Sequence, residues 1–228
     1  MNKKVLLISA LMVVIFLSIF SWVIFATPWQ KWYSTEADRA KVLPGYELVP
    51  KPAHSSVMAI DINAAPDKVW PWINQMGQDR GGLYSHEWLE NIFGTNMKNS
   101  NIIKAEWQYK GKKDEYMKLD PRIPGIPLAL HIPGKVIAFN GGTFEKHGRQ
   151  IKAGQAVPKD YFNNAWILYL EDIGGGKTRL YSVWRYDYYH SFANDLGYGP
   201  NIVGLLNFIM SDAMLRGIKA RAEKGNAI

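Results

Sequence analysis

From Val5 to Ala26 the chain reads VLLISALMVVIFLSIFSWVIFA, with no charged residue. As an α-helix rising about 1.5 Å per residue, such a run matches the roughly 30 Å hydrocarbon thickness of a bilayer, so this end of the chain reads as a transmembrane helix. A cleaved secretory signal has a shorter apolar core, about 7 to 15 residues, and ends in small residues. Here Ile24 and Phe25 precede Ala26, which argues for an uncleaved anchor. Trp29, Trp32 and Tyr33 follow, with Lys31 among them, the amphipathic rings and snorkelling cation that suit a headgroup layer. Lys3 and Lys4 before the span nearly balance Lys31, Arg39 and Lys41 after it. The basic groups before the span lie closer to its end, which favours a short tail inside and the soluble part outside the cytoplasm.

A chain of 228 residues with one anchor leaves room for one further domain large enough to bury a core. The expected organisation is an anchor over 1–27, a connector over 28–56 rich in turn formers (Pro44, Gly45, Pro50, Pro52), and a folded domain over 57–228. An apolar fraction of 47 % with 13 % aromatics is that of a folded protein. The net charge of +7 is spread thinly: Lys104, Lys110, Lys112, Lys113 and Lys118 are interleaved with Glu106, Asp114 and Glu115. That is no stripe for tracking phosphates, and nucleic acid is not expected as a partner. The absence of cysteine removes disulfides, thiolate metal sites and a cysteine nucleophile together.

Met58, Ile60 and Ile62 alternate with Ala59 and Asp61, the pattern of a half-buried strand. Pro66 suits the first turn of a helix whose apolar face is Val69, Trp70, Trp72, Ile73 and Met76, and Pro71 keeps it short or bent. A second short helix over 86–93 has Ser85 as its expected N-cap and Gly94 as its stop. Strands are expected over 115–119, 128–132, 136–139, 165–170 and 178–188, the last two joined through Ile173-Gly174-Gly175-Gly176 as a hairpin. Finally, Val203, Leu206, Met210, Met214 and Ile218 recur every three or four residues, which predicts one long helix over 201–224. The order implies an α+β domain with that helix packed across a sheet.

This order, with the strings VWPWINQMGQDRGGLYSHEWLENIFG at 69–94, KAEWQ at 104–108, MSDAMLRGIKARAE at 210–223 and PGYELVP at 44–50, resembles a membrane-anchored bacterial branch of the START-like superfamily (the SRPBCC or polyketide-cyclase/dehydrase-like group). The resemblance runs from about residue 28 to the C-terminus. It implies a helix-grip fold, a curved antiparallel sheet around a long C-terminal helix, with a deep apolar cavity between them. Such cavities hold lipids, sterols, polyketides or other hydrophobic molecules. One departure is visible: Gly111-Lys112-Lys113-Asp114 stands where that branch usually has a short Gly-Asp turn.

No motif in the sequence carries chemistry outright. His86-Glu87-Trp88-Leu89-Glu90 has glutamate where a zinc-protease helix needs its second histidine, and His54, His131, His147 and His190 are scattered, so no metal is expected. Gly176-Lys177-Thr178 lies between strands and lacks the first glycine of a phosphate loop. No cofactor is implied. Two constellations remain: Arg80 and Tyr84 around Gly81 and Gly82, and Glu106-Trp107 with Arg179 and Arg185 as charge partners. For each, a structural role stands beside the functional one, because arginine forks commonly serve structural carboxylates and ion-pair networks perturb carboxylates without doing chemistry. The candidate ligand-binding residues are Arg80, Tyr84, Trp88, Glu106, Trp107, Trp184, Leu206 and Met210. The function expected is membrane-tethered binding of a lipid or other hydrophobic small molecule. The alternatives are a cyclase, dehydrase or hydrolase using Glu106 or Tyr84 with Arg80, and an interaction module with no open cavity.

Overall fold

The computed structural model describes residues 3–26, 33–142, 156–200 and 202–225; within the first helix the side chains of Lys3, Leu7, Ile19 and 22–26 are not described. Helix α1 runs Lys3–Ala26, and its described apolar side chains, Phe16 and Phe20 among them, are exposed. Among the described residues no helix is long and apolar enough to cross a membrane, the side chains of α1 being described without a break only from Ile8 to Ser18. The aromatic and basic residues Trp29, Lys31 and Trp32 lie outside the described residues.

The remaining elements in chain order are α2 (Glu36–Ala40), β1 (His54–Ile62), α3 (Pro66–Ile73), α4 (Glu87–Ile92), β2 (Tyr116–Met117), β3 (Ile126–Ile132), β4 (Val136–Gly141), β5 (Phe162–Gly174), β6 (Lys177–Tyr188), α5 (Phe192–Tyr198) and α6 (Ile202–Glu223). The strands form one antiparallel sheet in the order β1-β6-β5-β4-β3-β2. This is the α+β architecture expected from the order of patterns. The β5–β6 hairpin turns through Gly174, Gly175 and Gly176, whose positive φ angles of 80°, 63° and 70° need residues without a Cβ.

Both faces of the sheet are covered. On one face α3 and α6 pack over Met58, Ile62, Ile137, Phe139, Leu168 and Leu180, with Met214, Leu215 and Ile218 supplied by α6. On the other, Leu43 and Val49 lie over Val57, Ala59, Ala138, Ile167 and Val183. The second layer corrects two expectations. Residues 34–56 are not an extended connector over their length: α2, with a Thr35 capping box, and a 3-10 turn at Tyr46–Leu48 dock them on the sheet. In consequence β1 is not half-buried, because Val57 and Ala59 meet this segment while Met58 and Ile62 meet the helices.

Ion pairs fasten that layer at the hairpin end. Arg179 on β6 meets Asp38 Oδ2 at 2.7 Å and Asp61 Oδ1 at 2.6 Å, and Lys41 Nζ meets Glu171 at 2.7 Å. The chain comes into this cluster at Tyr33, whose carbonyl accepts from Arg179 and whose hydroxyl accepts from Arg216.

Candidate ligand cavity

Helix α6 leaves the sheet uncovered toward the end opposite the glycine hairpin. Four pieces of chain wall off the space there. On β5, Phe162, Asn164 and Trp166 are alternate residues and so share a face, and Trp184 is Trp166's cross-strand neighbour on β6. From α6 come Leu206, Met210 and Met214, spaced four apart on one stripe, with Asn207 and Ser211 beside them. The segment through α4 supplies Leu83, Ser85, Leu89, Glu90, Phe93, Thr95 and Met97, and Leu119 and Ile126 close the side at β2 and β3. These enclose a cavity of about 430 Å³, partly open to solvent. Leu206, 43 % exposed, and Phe93 stand at its rim, while Met97, Met214 and Ser211 are buried in its wall. A closed groove with no interior space is therefore overturned.

The loop that carries α4 is held against α6 by backbone contact. Gly82, at φ +81°, leaves no room for a Cβ, which would lie 2.5 Å from the Lys98 carbonyl oxygen. Gly217 on α6 meets the Tyr84 carbonyl in the same way, at 2.2 Å from where a Cβ would stand. Asn99 then fixes the strip just before α4, accepting from the Tyr84 N–H at 2.6 Å and donating to the Ser85 carbonyl at 2.8 Å.

Of the polar groups lining the cavity, Asn164 Nδ2 donates to the Gly141 carbonyl at 2.7 Å, and the Trp166 indole N–H donates to Ser182 Oγ at 3.1 Å. Glu90 is different. It is 7 % exposed, Ser85 Oγ donates to its Oε1, and Oε2 is buried with no hydrogen-bond partner among the described residues. Burial raises its pKa above the ordinary glutamate value; the Ser85 hydroxyl opposes that shift and the neighbouring Glu87 charge adds to it.

The eight residues expected at the site divide. Trp184, Leu206 and Met210 line the cavity. Arg80 does not: its Nη1 donates to the Trp107 carbonyl at 2.5 Å and its guanidinium lies 4.1 Å from the Tyr109 ring centre. Tyr84 is buried beneath α6, where its hydroxyl accepts from Gln75 Nε2 at 2.9 Å; burial pushes that phenol's pKa up, beyond what the Gln75 hydrogen bond and the Arg221 charge draw back. Trp88 is 65 % exposed on the outer face of α4. Glu106 is exposed, and Trp107 is half-buried under the Lys104 ammonium, 4.2 Å from its ring. The proposed partners are engaged elsewhere: Arg179 with Asp38 and Asp61, and Arg185 with the Val49 carbonyl and the Tyr46 ring.

Both constellations thus lie in segments that do structural work. Gln75, fully buried, donates to Tyr84 and to the Ile102 carbonyl and accepts from Lys104 N and Gln108 Nε2, tying KAEWQ to α3. Ser85 is not a helix cap: His86 occupies that position, and the Ser85 hydroxyl turns to Glu90. Glu90, passed over as the wrong residue for a zinc motif, is the buried carboxyl at the cavity. Its signal was the spacing of Leu89 and Glu90 from Phe93, which sets them toward the body while Trp88 and Ile92 face out. Among the described residues no group of three or more His, Asp or Glu is placed to hold a metal; His147 lies outside them.

No family profile and no curated protein matches the sequence. Among solved structures, the chain is similar in outline to an aromatase/cyclase from Streptomyces sp. R1128, at 12 % identity and TM-score 0.40, over 75 % of this chain and 94 % of that one. A protein from Arthrobacter aurescens gives 14 % identity and TM-score 0.38 over 75 % and 87 % of the two chains. One from Mesorhizobium loti gives 10 % and 0.36 over 76 % and 99 %. These likenesses carry no function across to this chain.

Proposed function

We propose that this chain is a single-pass membrane protein whose body holds a lipid or other hydrophobic small molecule in the cavity between the sheet and α6. The observation that carries the reading is the cavity itself, about 430 Å³ beside the core and walled mainly by apolar side chains. Pockets for small ligands commonly measure about 300–1,000 Å³, with a few polar groups among apolar ones. Water in such a space is poorly hydrogen-bonded, and each methylene that replaces it contributes about 0.8 kcal/mol before ordering costs. The anchor rests on the uncharged run Val5–Ala26, on the helical backbone of α1 and on the exposure of its described side chains. The positions of Lys3 and Lys4 close to the span support a body outside the cytoplasm.

The enzymatic alternative loses its residues, since Glu106, Tyr84 and Arg80 do not line the cavity. The test of binding is solvent extraction and native mass spectrometry of the full-length chain in lipid nanodiscs, beside Met210→Trp, which fills the space. A bound apolar molecule in the parent, lost in the variant, is expected; a chain that carries nothing and takes up no apolar probe would sink the reading. The native chain has no cysteine, so a single Asp172→Cys, labelled in intact cells by a membrane-impermeant maleimide, reports the membrane face.

A further inference from the structure

The cavity has one polar wall that no packing role explains. Ser85 and Glu90 face each other there, with the apolar Leu89 beside Glu90 and Phe93 about one turn further along. Among the described residues no cation pairs with Glu90: its hydrogen-bond partner is Ser85, and the charge acting on it is the carboxylate of Glu87. A buried carboxyl oxygen without a partner costs about as much as a lost hydrogen bond, and an apolar residue at this position would remove that cost. The N-cap position of α4 is His86 and its C-cap is Phe93, so the Glu90 carboxyl serves neither end of the helix.

We propose that Ser85 and Glu90 form the polar end of the cavity, and that they take the hydroxyl group of a long-chain or polycyclic alcohol whose apolar body lies between Trp166, Trp184 and Met210. The proposal rests on the binding function argued above and narrows it to a ligand class. The chemistry selects a hydroxyl because that group both donates and accepts. It satisfies the free oxygen as an ionised carboxylate, by donating, and as a neutral acid, by accepting. An ether accepts only. An ammonium group meets only the ionised form, and bringing it into an apolar space costs its hydration. Rotation about the terminal bond of Glu90, a broad torsion, presents either oxygen to the ligand while Ser85 keeps the other.

The test uses the full-length chain in phosphatidylcholine nanodiscs with a diazirine-bearing alkanol, the adduct being mapped by mass spectrometry. Competition is measured with 1-dodecanol, 1-methoxydodecane and dodecylamine at matched concentration in the bilayer. Adducts on cavity residues are expected, with dodecanol displacing the probe at about tenfold lower concentration than the ether. In Glu90→Leu the adduct should persist, which reports an intact cavity, and the two competitors should become equal to within about twofold. Glu90→Gln, whose amide also donates and accepts, should keep the preference. Equal competition in the parent, an undiminished preference in Glu90→Leu, or dodecylamine as the best competitor would each overturn the proposal while leaving cavity binding in place. Absence of any cavity adduct in the parent would overturn both.

Discussion

Replacing Asp38 by alanine should destabilise the body strongly, although Asp38 lies in a segment that reads as linker. Asp38 is 5 % exposed, and both its oxygens are engaged. Oδ2 accepts from Arg179 Nη2 at 2.7 Å, from the Thr35 N–H at 2.7 Å and from Thr35 Oγ1 at 2.8 Å; Oδ1 accepts from Arg179 Nε at 3.1 Å. Tyr181 Oη lies 2.8 Å from Asp38 Oδ1 and 2.7 Å from Glu171 Oε2, so its single proton serves one carboxylate at a time. Removing one partner of a buried pair costs about 3–5 kcal/mol. The lower end applies here, because Arg179 keeps Asp61 and Tyr181 keeps Glu171. For a protein of this size, about 3 kcal/mol lowers Tm by about 6–12 °C. The assay is circular dichroism melting of the full-length chain at neutral pH. Burial pushes the Asp38 carboxyl up, but Arg179 first, then Thr35 and Tyr181, outweigh burial and hold it well below the usual carboxylate range. A depressed pKa contributes stability that is present above the unfolded value, about 3.9, and lost as pH falls toward the folded one. The gap between parent and variant should therefore hold from neutral pH to about 5 and narrow below about 4. A fall of less than about 2 °C at neutral pH, or a gap unchanged by acid, would refute the reasoning.

Glu90→Gln should act in the opposite sense. Its folded pKa is raised, so the neutral form's contribution is complete below the unfolded value and lost as pH rises through the folded one; the variant should melt about 2–4 °C higher than the parent at mildly alkaline pH and equally near pH 4. Gly217→Ala places a Cβ against the Tyr84 carbonyl oxygen and should cost about 1–3 kcal/mol in a urea titration. Gln75→Ala strips partners from the Ile102 carbonyl, Lys104 N, Gln108 and Tyr84 at once, and should cost at least about 2 kcal/mol by the same titration.

What could be read from the sequence followed from periodicity. The alternation over 58–62 gave β1, the strand-like segments on either side of the glycine run gave the β5–β6 hairpin and its turn, and the stripe through Met210, Met214 and Ile218 gave α6. Helix α5 was missed, for Phe192 and Leu196 are exposed and leave no buried stripe to detect. The layer over 34–50 was missed because its prolines and glycine read as punctuation, whereas Leu43 and Val49, too few for a pattern, do the packing. Three of the eight candidate site residues line the cavity, all on regular elements with a definite inward face: Trp184 on β6, and Leu206 and Met210 on α6. Of the five that do not, Trp88 faces outward on the short helix α4, and Arg80, Tyr84, Glu106 and Trp107 lie in loops or a 3-10 turn, where orientation depends on hydrogen bonds between distant residues, such as Gln75 to Tyr84.

The sheet separates two features of the body, the ion-pair cluster and the cavity. Chain entering at Tyr33 is fixed at the glycine-hairpin end, by Arg179, Asp38 and Asp61. The cavity begins at Trp166 and Trp184 and opens toward Phe162, at the other end of the same two strands. From Arg179 to Trp184 is about 17 Å along β6, and from Glu171 to Phe162 about 30 Å along β5. Between them lies the packed middle of the sheet, where Ile167, Leu168, Leu180 and Val183 are buried. A cavity at the hairpin end would have had to share its wall with the ion pairs that hold the N-terminal layer, and an empty space beside them would have weakened both. Placed apart, the cavity takes its looseness from the first turns of α6, whose side chains are partly exposed, while the last turns, with Ile218 and Ala222, close the core. The first half of α6, IVGLLNFIM at 202–210, is apolar nearly all round, which fits an element with one side on the sheet and another on a space that the described side chains do not fill.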